Sequence, residues 1–347
     1  MTLIETVDKT QRNIVIKIKS ELMFQNQCIA VVDISISKFG INIVPTEVLA
    51  RNQMPYPLLV NKMNLLNWFI CRGFIRRTHR NIFYTELALN HENRELYTPL
   101  ILSLSTNSVS LCDKYWLNPI TTTEFRMNGV LVSFQRKTWE SVDPFINLHV
   151  PGVLEEYGLY DSFFVDKPDD IPYQSLIWTT SGEQNKRWML DDKGYYLEKK
   201  LNEQQFNDEL KTLDFFLLKG IMVPEYNYSV KTLDNTDEDY SCIYSHRTIQ
   251  EGLHVIQKRC LTNSNCYLVS LMDFVKDDVD IAVPIQRMCG YYNVSDAIVQ
   301  RFINSVKEYA KLFNIPDTLL NTQNMGLLIK ETDAIPVVWG RLQLQQK

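Results

Sequence analysis

The chain has 347 residues, more than one hydrophobic core usually serves, since single cores stop growing at about 250–300 residues. It is 45% hydrophobic and 22% charged, with 16 Phe, 17 Tyr and 6 Trp spread along its length, which excludes a disordered chain. A formal net charge of -5 gives no overall pull toward nucleic acid, and no run approaches the roughly 18 uncharged apolar residues of a membrane span, so the expectation is a cytoplasmic protein with no membrane partner.

In chain order, Ile14–Lys19 and Cys28–Ser37 alternate apolar and polar residues closely enough to predict two strands joined by a short connection. A helix follows over VNKMNLLNWFICRGF, with Met63, Leu66, Trp68, Phe69 and Ile70 on its apolar side. The stretch from Glu140 to Ser175 mixes Pro, Gly and Asp with isolated aromatics and reads as an irregular connector. KRWMLDD and GYYLEKK are two strands around the turn Asp191-Asp192-Lys193-Gly194. The next helix is capped by Asn202, carries Phe206, Leu210, Leu213 and Leu217 as its apolar stripe, and stops at Gly220. MVPEYNYSV and YSCIYSH are further strands around the acidic turn Asp234–Asp239. The last third reads as helical until its end: Ser295 caps a helix bearing Ile298, Phe302, Val306, Tyr309 and Phe313, closed by Asn314-Ile315-Pro316. Then NTQNMGLLIKETDAIPVVWGRL gives an Asn-x-Gly turn, an apolar strand, a polar reversal and a second apolar strand containing Pro336.

The seven cysteines are scattered with no C-x-x-C pair, and the five histidines have no acidic or cysteine partner at ligand spacing, so neither set predicts a metal site. There is no P-loop, no dinucleotide-binding glycine motif and no G-x-S-x-G. What carries chemistry is the order strand, strand, helix, strand, strand. That is the order of a kinase small lobe, which needs a loop over phosphates, a lysine on a strand and a helical carboxylate to pair with it. TTSGEQNKRW supplies a loop with one glycine, Gly182; Lys199 ends the second strand; Asp208 and Glu209 stand on the helix. Separately, Arg72, Arg76, Arg77 and Arg80 with His79 form a basic row. Its spacing fits phosphates of nucleic acid or an acidic partner, although such a row is more often a solvated face or paired with acids such as Glu86 and Glu92.

Several blocks resemble the HipA-like serine/threonine kinases, in particular the form with a long N-terminal domain found in Gram-positive bacteria. VSLCDKYWLNP (Val109–Pro119) resembles that group's Ser-Leu-x-Asp-x-Tyr-Trp-Ile-x-Pro signature, and KTWESVDPF (Lys137–Phe145) resembles its Thr-Trp-Glu-x-Val block. TTSGEQNKRW with Lys199 eleven residues after Trp188 keeps the family spacing of phosphate loop and lysine. QQFNDE and KGIMVPEYNYSV resemble the helix and strand beyond, and LLNWFICR a Leu-Asn-x-Trp-Trp block. The family's catalytic loop, Asp-Arg-His-x-x-Asn-Phe-Gly, matches here at Asn324, Met325 and Gly326, and its Pro-x-x-Asp-Ser-Gly hairpin matches at Pro336. The catalytic base position then falls on Leu319 and the metal-holding aspartate on Trp339. Leucine cannot take a proton, and a positioned base is worth about 10²–10⁴ in rate. An indole offers Mg²⁺ no anionic oxygen. Asp317 and Asp333 are the nearest acids that would substitute. The resemblance also implies further helices beyond Trp339, which the remaining residues do not supply.

The expectation is therefore an α+β protein: an N-terminal mixed α/β domain over 1–150, a connector over 151–171, a kinase-like small lobe over 172–248 and a shortened helical large lobe over 249–347. The resemblance implies a pseudokinase acting as a binding or regulatory subunit with a protein partner, in a bacterial or mobile-element stress, defence or toxin-antitoxin-like setting. ATP and Mg²⁺ are the cofactors it would bring, with Gly182, Lys199, Asp208, Glu209 and Asn324 as nucleotide-binding candidates. Two alternatives stand beside it: an active ATP-dependent serine/threonine kinase completed by displaced acids or a partner chain, and a nucleic-acid-binding module using the arginine row.

Overall fold

The computed structural model describes residues 16–37, 40–60, 63–73, 113–127, 130–143, 186–231, 253–331 and 333–343. These form two compact units, one carrying the described residues up to 143 and the other those from 186 onward. Helices and antiparallel sheets are both present, the mixed composition of an α+β protein. Among the described residues no helix is long and apolar enough to cross a membrane.

In the first unit, strands β1 (Ile16–Phe24), β2 (Gln27–Ser37) and β3 (Gly40–Val48) precede helix α1 (Leu65–Gly73). Strand β4 (Tyr115–Pro119) then completes a sheet of order β3-β2-β1-β4. The expected pair of strands is present, and the first runs on to Phe24 because Leu22, Met23 and Phe24 are all buried. Ile18 and Leu22 on β1, Val32, Ile34 and Ile36 on β2, and Leu65 and Phe69 on α1 are buried core residues. Strands β5 (Thr123–Met127) and β6 (Val130–Phe134) form a separate hairpin.

The Tyr-Trp block belongs to this framework. Gln25 takes a left-handed conformation (φ 50°) in the β1–β2 turn. The turn is gripped from β4's side: Gln25 N donates to Lys114 O at 2.8 Å, and Trp116 Nε1 donates to Gln25 O at 2.9 Å. The Tyr115 hydroxyl donates to Gln53 O at 2.9 Å. Asn118 and Lys137 exchange two bonds, Nδ2 to O at 3.1 Å and N to Oδ1 at 3.0 Å, which set a helical turn at Trp139–Val142 against the sheet's end. Met23, Trp116, Trp139 and Val142 close one core cluster. The described residues of the Tyr-Trp and Thr-Trp-Glu blocks are accounted for by packing.

The second unit opens with strands β7 (Lys186–Asp191) and β8 (Gly194–Leu201), the expected hairpin, followed by helix α2 (Glu203–Leu218). Asn202 and Gln205 form a reciprocal capping box at its start, and Gly220, at φ 66°, takes the left-handed conformation that ends it. Strands β9 (Tyr226–Lys231) and β10 (Leu253–Arg259) complete a sheet of order β7-β8-β10-β9. The segments Tyr240–His246 and Asp234–Asp239 lie outside the described residues.

Two expectations are corrected. The last third is not helical until its end: β10 and β11 (Tyr267–Ser270) lie within it, because β10 buries Ile256 and Lys258 on one face and a lysine there hides the alternation. Leu217 is not on the buried stripe of α2 but 57% exposed, and Phe216 is buried instead; the true stripe passes through Glu209.

Helices α3 (Ala282–Tyr291) and α4 (Asp296–Leu312) precede strands β12 (Met325–Ile329) and β13 (Ala334–Val338), which with β11 form a sheet of order β11-β12-β13. Ser295 caps α4 through its carbonyl, which accepts from Ile298 N and Val299 N at 3.0 Å, and not through its hydroxyl. The residues after α2 zip onto this sheet: Met222 pairs with Val337, and Val338 N donates to Met222 O at 3.0 Å.

Gly326 is fixed by close approach, because a Cβ added there would lie 1.9 Å from Val269 O on β11. The three nearest atoms, Val269 O and C and Leu271 N, are all backbone, so none of them is the end of a flexible side chain that could yield. Gly326→Ala is expected to cost about 3 kcal/mol or more, seen as a lowered urea midpoint with an unchanged slope. A variant as stable as wild type would mean that β11 and β12 are not so closely paired.

Candidate functional site

The register of β8 and β10 creates a fully buried charge cluster. Lys199 sits opposite Ile256, and Leu197 opposite Lys258. Directly opposed residues of an antiparallel pair share a face, so the two lysines rise one diagonal apart on the face that carries Leu201 and Ile256. Helix α2 covers that face with Phe206, Glu209, Leu213 and Phe216, all buried and spaced three, four and three apart. Glu209 is pressed onto the sheet at 0% exposure, between Lys199 and Lys258 at 6% and 4%.

Lys199 Nζ donates to both carboxylate oxygens of Glu209, at 2.8 and 3.1 Å, and Lys258 Nζ donates to Oε1 at 2.5 Å. A second proton of Lys258 goes to the carbonyl of Trp339 at 2.5 Å. Burial pushes the Glu209 carboxyl up, but the two ammonium groups more than offset it and hold it at about 2. Burial, aided by the like charge of Lys199 and opposed by Glu209, pulls Lys258 below the usual lysine range. Behind the cluster, Thr212 Oγ1 donates to Asp208 O and lies 2.7 Å from the Tyr309 hydroxyl, fixing α2 against α4.

The motif residues of the closing hairpin meet this cluster through the main chain. Trp339 N donates to Asn324 O at 2.9 Å, and its indole packs against a core of Cys266, Leu328 and Val337 together with Met222 and Leu261. Asn324 Nδ2 donates to Arg341 O at 2.9 Å. A Cβ added at Gly340 would come within 2.9 Å of that amide, so the amide lies flat on the chain at Gly340. Arg341 is half-buried, and burial lowers its pKa while the charges of Glu209 and Asp208 pull the other way.

The sequence candidates therefore separate. Lys199 and Glu209 are brought together, and Glu209 rather than Asp208 is the partner. Asn324 and Trp339 reach the same locality. Leu319 lies on a single 3-10 turn, Asp317–Leu319, at 42% exposure. Asp317 Oδ2 accepts from Ile281 N at 3.1 Å, at the start of α3. Asp333 sits at the tip of the β12–β13 hairpin, where its carbonyl accepts from Lys330 N, a full strand from Trp339, or about 20 Å. Arg72 lies in α1, whereas Arg76, Arg77, Arg80 and Gly182 lie outside the described residues. Lys258, Arg341 and Tyr309 were not among the candidates; the available signal for Lys258 was a lysine two residues after Ile256 in a strand-length run. Among the described residues no group of three or more His, Cys, Asp or Glu is placed to hold a metal ion.

Comparison with protein-family models, curated proteins and solved structures finds no match.

Removing the carboxylate charge would leave two buried ammonium groups facing each other. Glu209→Gln is expected to cost about 3–5 kcal/mol, measured by urea unfolding at pH 7. For wild type, the depressed Glu209 pKa gives stability that is fully present above its ordinary value near 4.5 and lost as pH falls toward about 2. Stability that stayed flat down to pH 2 would contradict the buried pairing.

Proposed function

We propose that the chain is a HipA-like pseudokinase that acts by binding, as a regulatory or complex-forming subunit with a protein partner, in a bacterial or mobile-element stress, defence or toxin-antitoxin-like setting. One observation carries this reading: the groups that a phosphotransfer site would turn toward nucleotide and metal are answered by the chain itself. A kinase uses its strand lysine and helix glutamate as an ion pair that positions phosphates, and it adds an asparagine and an aspartate to hold the metal. Here the lysine–glutamate pair is present, with Lys199 Nζ 2.8 Å from Glu209 Oε1. The carboxylate also takes Lys258, the Asn324 amide donates to Arg341 O, and the aspartate position carries Trp339.

The arrangement of elements supports the same ancestry. A helix between the second and third strands of a four-stranded antiparallel sheet places its carboxylate on a strand lysine, and a strand hairpin follows the Asn-x-Gly turn. Asp317 is engaged at the start of α3 and Asp333 stands a strand's length away, so neither favours a restored catalytic centre. Phosphoryl transfer relies on positioned charge; the position that the resemblance gives to the metal-holding aspartate carries Trp339, and Glu209 is already engaged by Lys199 and Lys258.

The test is a thermal-shift titration with ATP, with and without Mg²⁺, on wild type and Lys199→Ala, beside a radiolabelled phosphate-transfer assay. The expected outcome is no Mg²⁺-dependent shift of wild type and no label in the protein or a generic substrate. A shift that grows with Mg²⁺ and vanishes in Lys199→Ala, or label incorporated by wild type alone, would overturn the reading.

A further inference from the structure

Charge alone does not explain Lys258. Lys199 already meets both oxygens of Glu209, so the second lysine leaves the buried cluster with one positive charge in excess, and a surplus buried charge is unfavourable. What Lys258 adds is a connection. Its Nζ reaches from β10 to the carboxylate on α2 and to the Trp339 carbonyl just past β13, both at 2.5 Å. That carbonyl is held in place from its neighbours, since Trp339 N is bonded to Asn324 O and Val338 N to Met222 O. An ammonium has three donors and no acceptor, so it can join a carboxylate to a main-chain oxygen as a small hard cation does.

We propose that Lys258 is a built-in cation that latches this site shut, tying the carboxylate of α2 to the main chain at Trp339 and occupying the ground on which a nucleotide-bound metal would otherwise rest. The latch stands on the geometry above; the identity of the excluded ligand rests on the pseudokinase reading. Gly340 and the Asn324 amide pack against each other directly beyond Trp339, so the chain that Lys258 holds also covers the amide.

The experiment compares the full-length wild type with Lys258→Met by amide hydrogen exchange and by thermal shift with Mg²⁺–ATP. The latch predicts exchange about tenfold faster over residues 334–343 in Lys258→Met, with no change over β1 to β4. Equal exchange over 334–343 would overturn it. A Mg²⁺–ATP shift gained only by the variant supports the latch as the element that keeps nucleotide out. Faster exchange without any nucleotide shift upholds the latch and counts against the nucleotide-site reading, so the two ideas fail separately. If Lys258→Met does not fold, the same exchange measurement is made on Lys258→Arg, which keeps the charge but not the compact fit. Loosening confined to 334–343 supports the latch there, and unchanged exchange overturns it.

Discussion

The second unit is organised around a carboxylate with no contact with water. Glu209 is 0% exposed, and an isolated ionised carboxylate in that position would be neutralised or expelled. Two lysines on the facing strands prevent this, and their need to reach one point fixes several things at once. It sets the rotation of α2 about its axis and the side of the sheet the helix covers. Through the Trp339 carbonyl it also sets where the end of β13 lies. The hydrophobic contacts of Phe206, Leu213 and Ile256 surround this point and give area but little direction. The ion cluster supplies the direction.

The sequence blocks singled out above divide into two kinds once each is given a physical role. Tyr115, Trp116 and Asn118 are bonded to backbone atoms of the β1–β2 turn, of Gln53 and of Lys137, so they hold a sheet to its surrounding loops. Gly326 is required because β11 leaves no volume for a side chain. These residues would be retained for architecture in a protein with no catalysis at all. Lys199, Glu209 and Asn324 are different, since their functional groups are the sort a nucleotide would use, and the chain has turned each onto itself.

The parts of the fold legible in the sequence are those where local chemistry decides the outcome. Asn202 with Gln205, Gly220 after the last turn, the β7–β8 turn and the hairpin around Pro336 are all set by residues within a few positions of one another. The errors have a common source in buried charge. Reading α2 by its leucines puts Leu217 on the stripe and leaves Asp208 and Glu209 equivalent, whereas Phe206, Leu213 and Phe216 fix the phase that singles out Glu209. In β10 the buried Lys258 breaks the alternation that marks a strand. A hydrophobic pattern is silent wherever tertiary pairing makes a charged residue interior.

On the pseudokinase reading proposed above, an acid missing at Trp339 would by itself leave a lysine and a glutamate facing an empty place, an arrangement with unsatisfied capacity for a ligand. The observed arrangement has a cation in that place already, bonded to Glu209 and to the Trp339 carbonyl. Low dielectric makes each of these contacts stronger and each unmatched group more expensive, so the pressure on such an interior is toward internal satisfaction. Once Lys258 answers both Glu209 and Trp339, the cluster favours one fixed relation between α2 and the β12–β13 hairpin, and a fixed surface is what the proposed binding role would require.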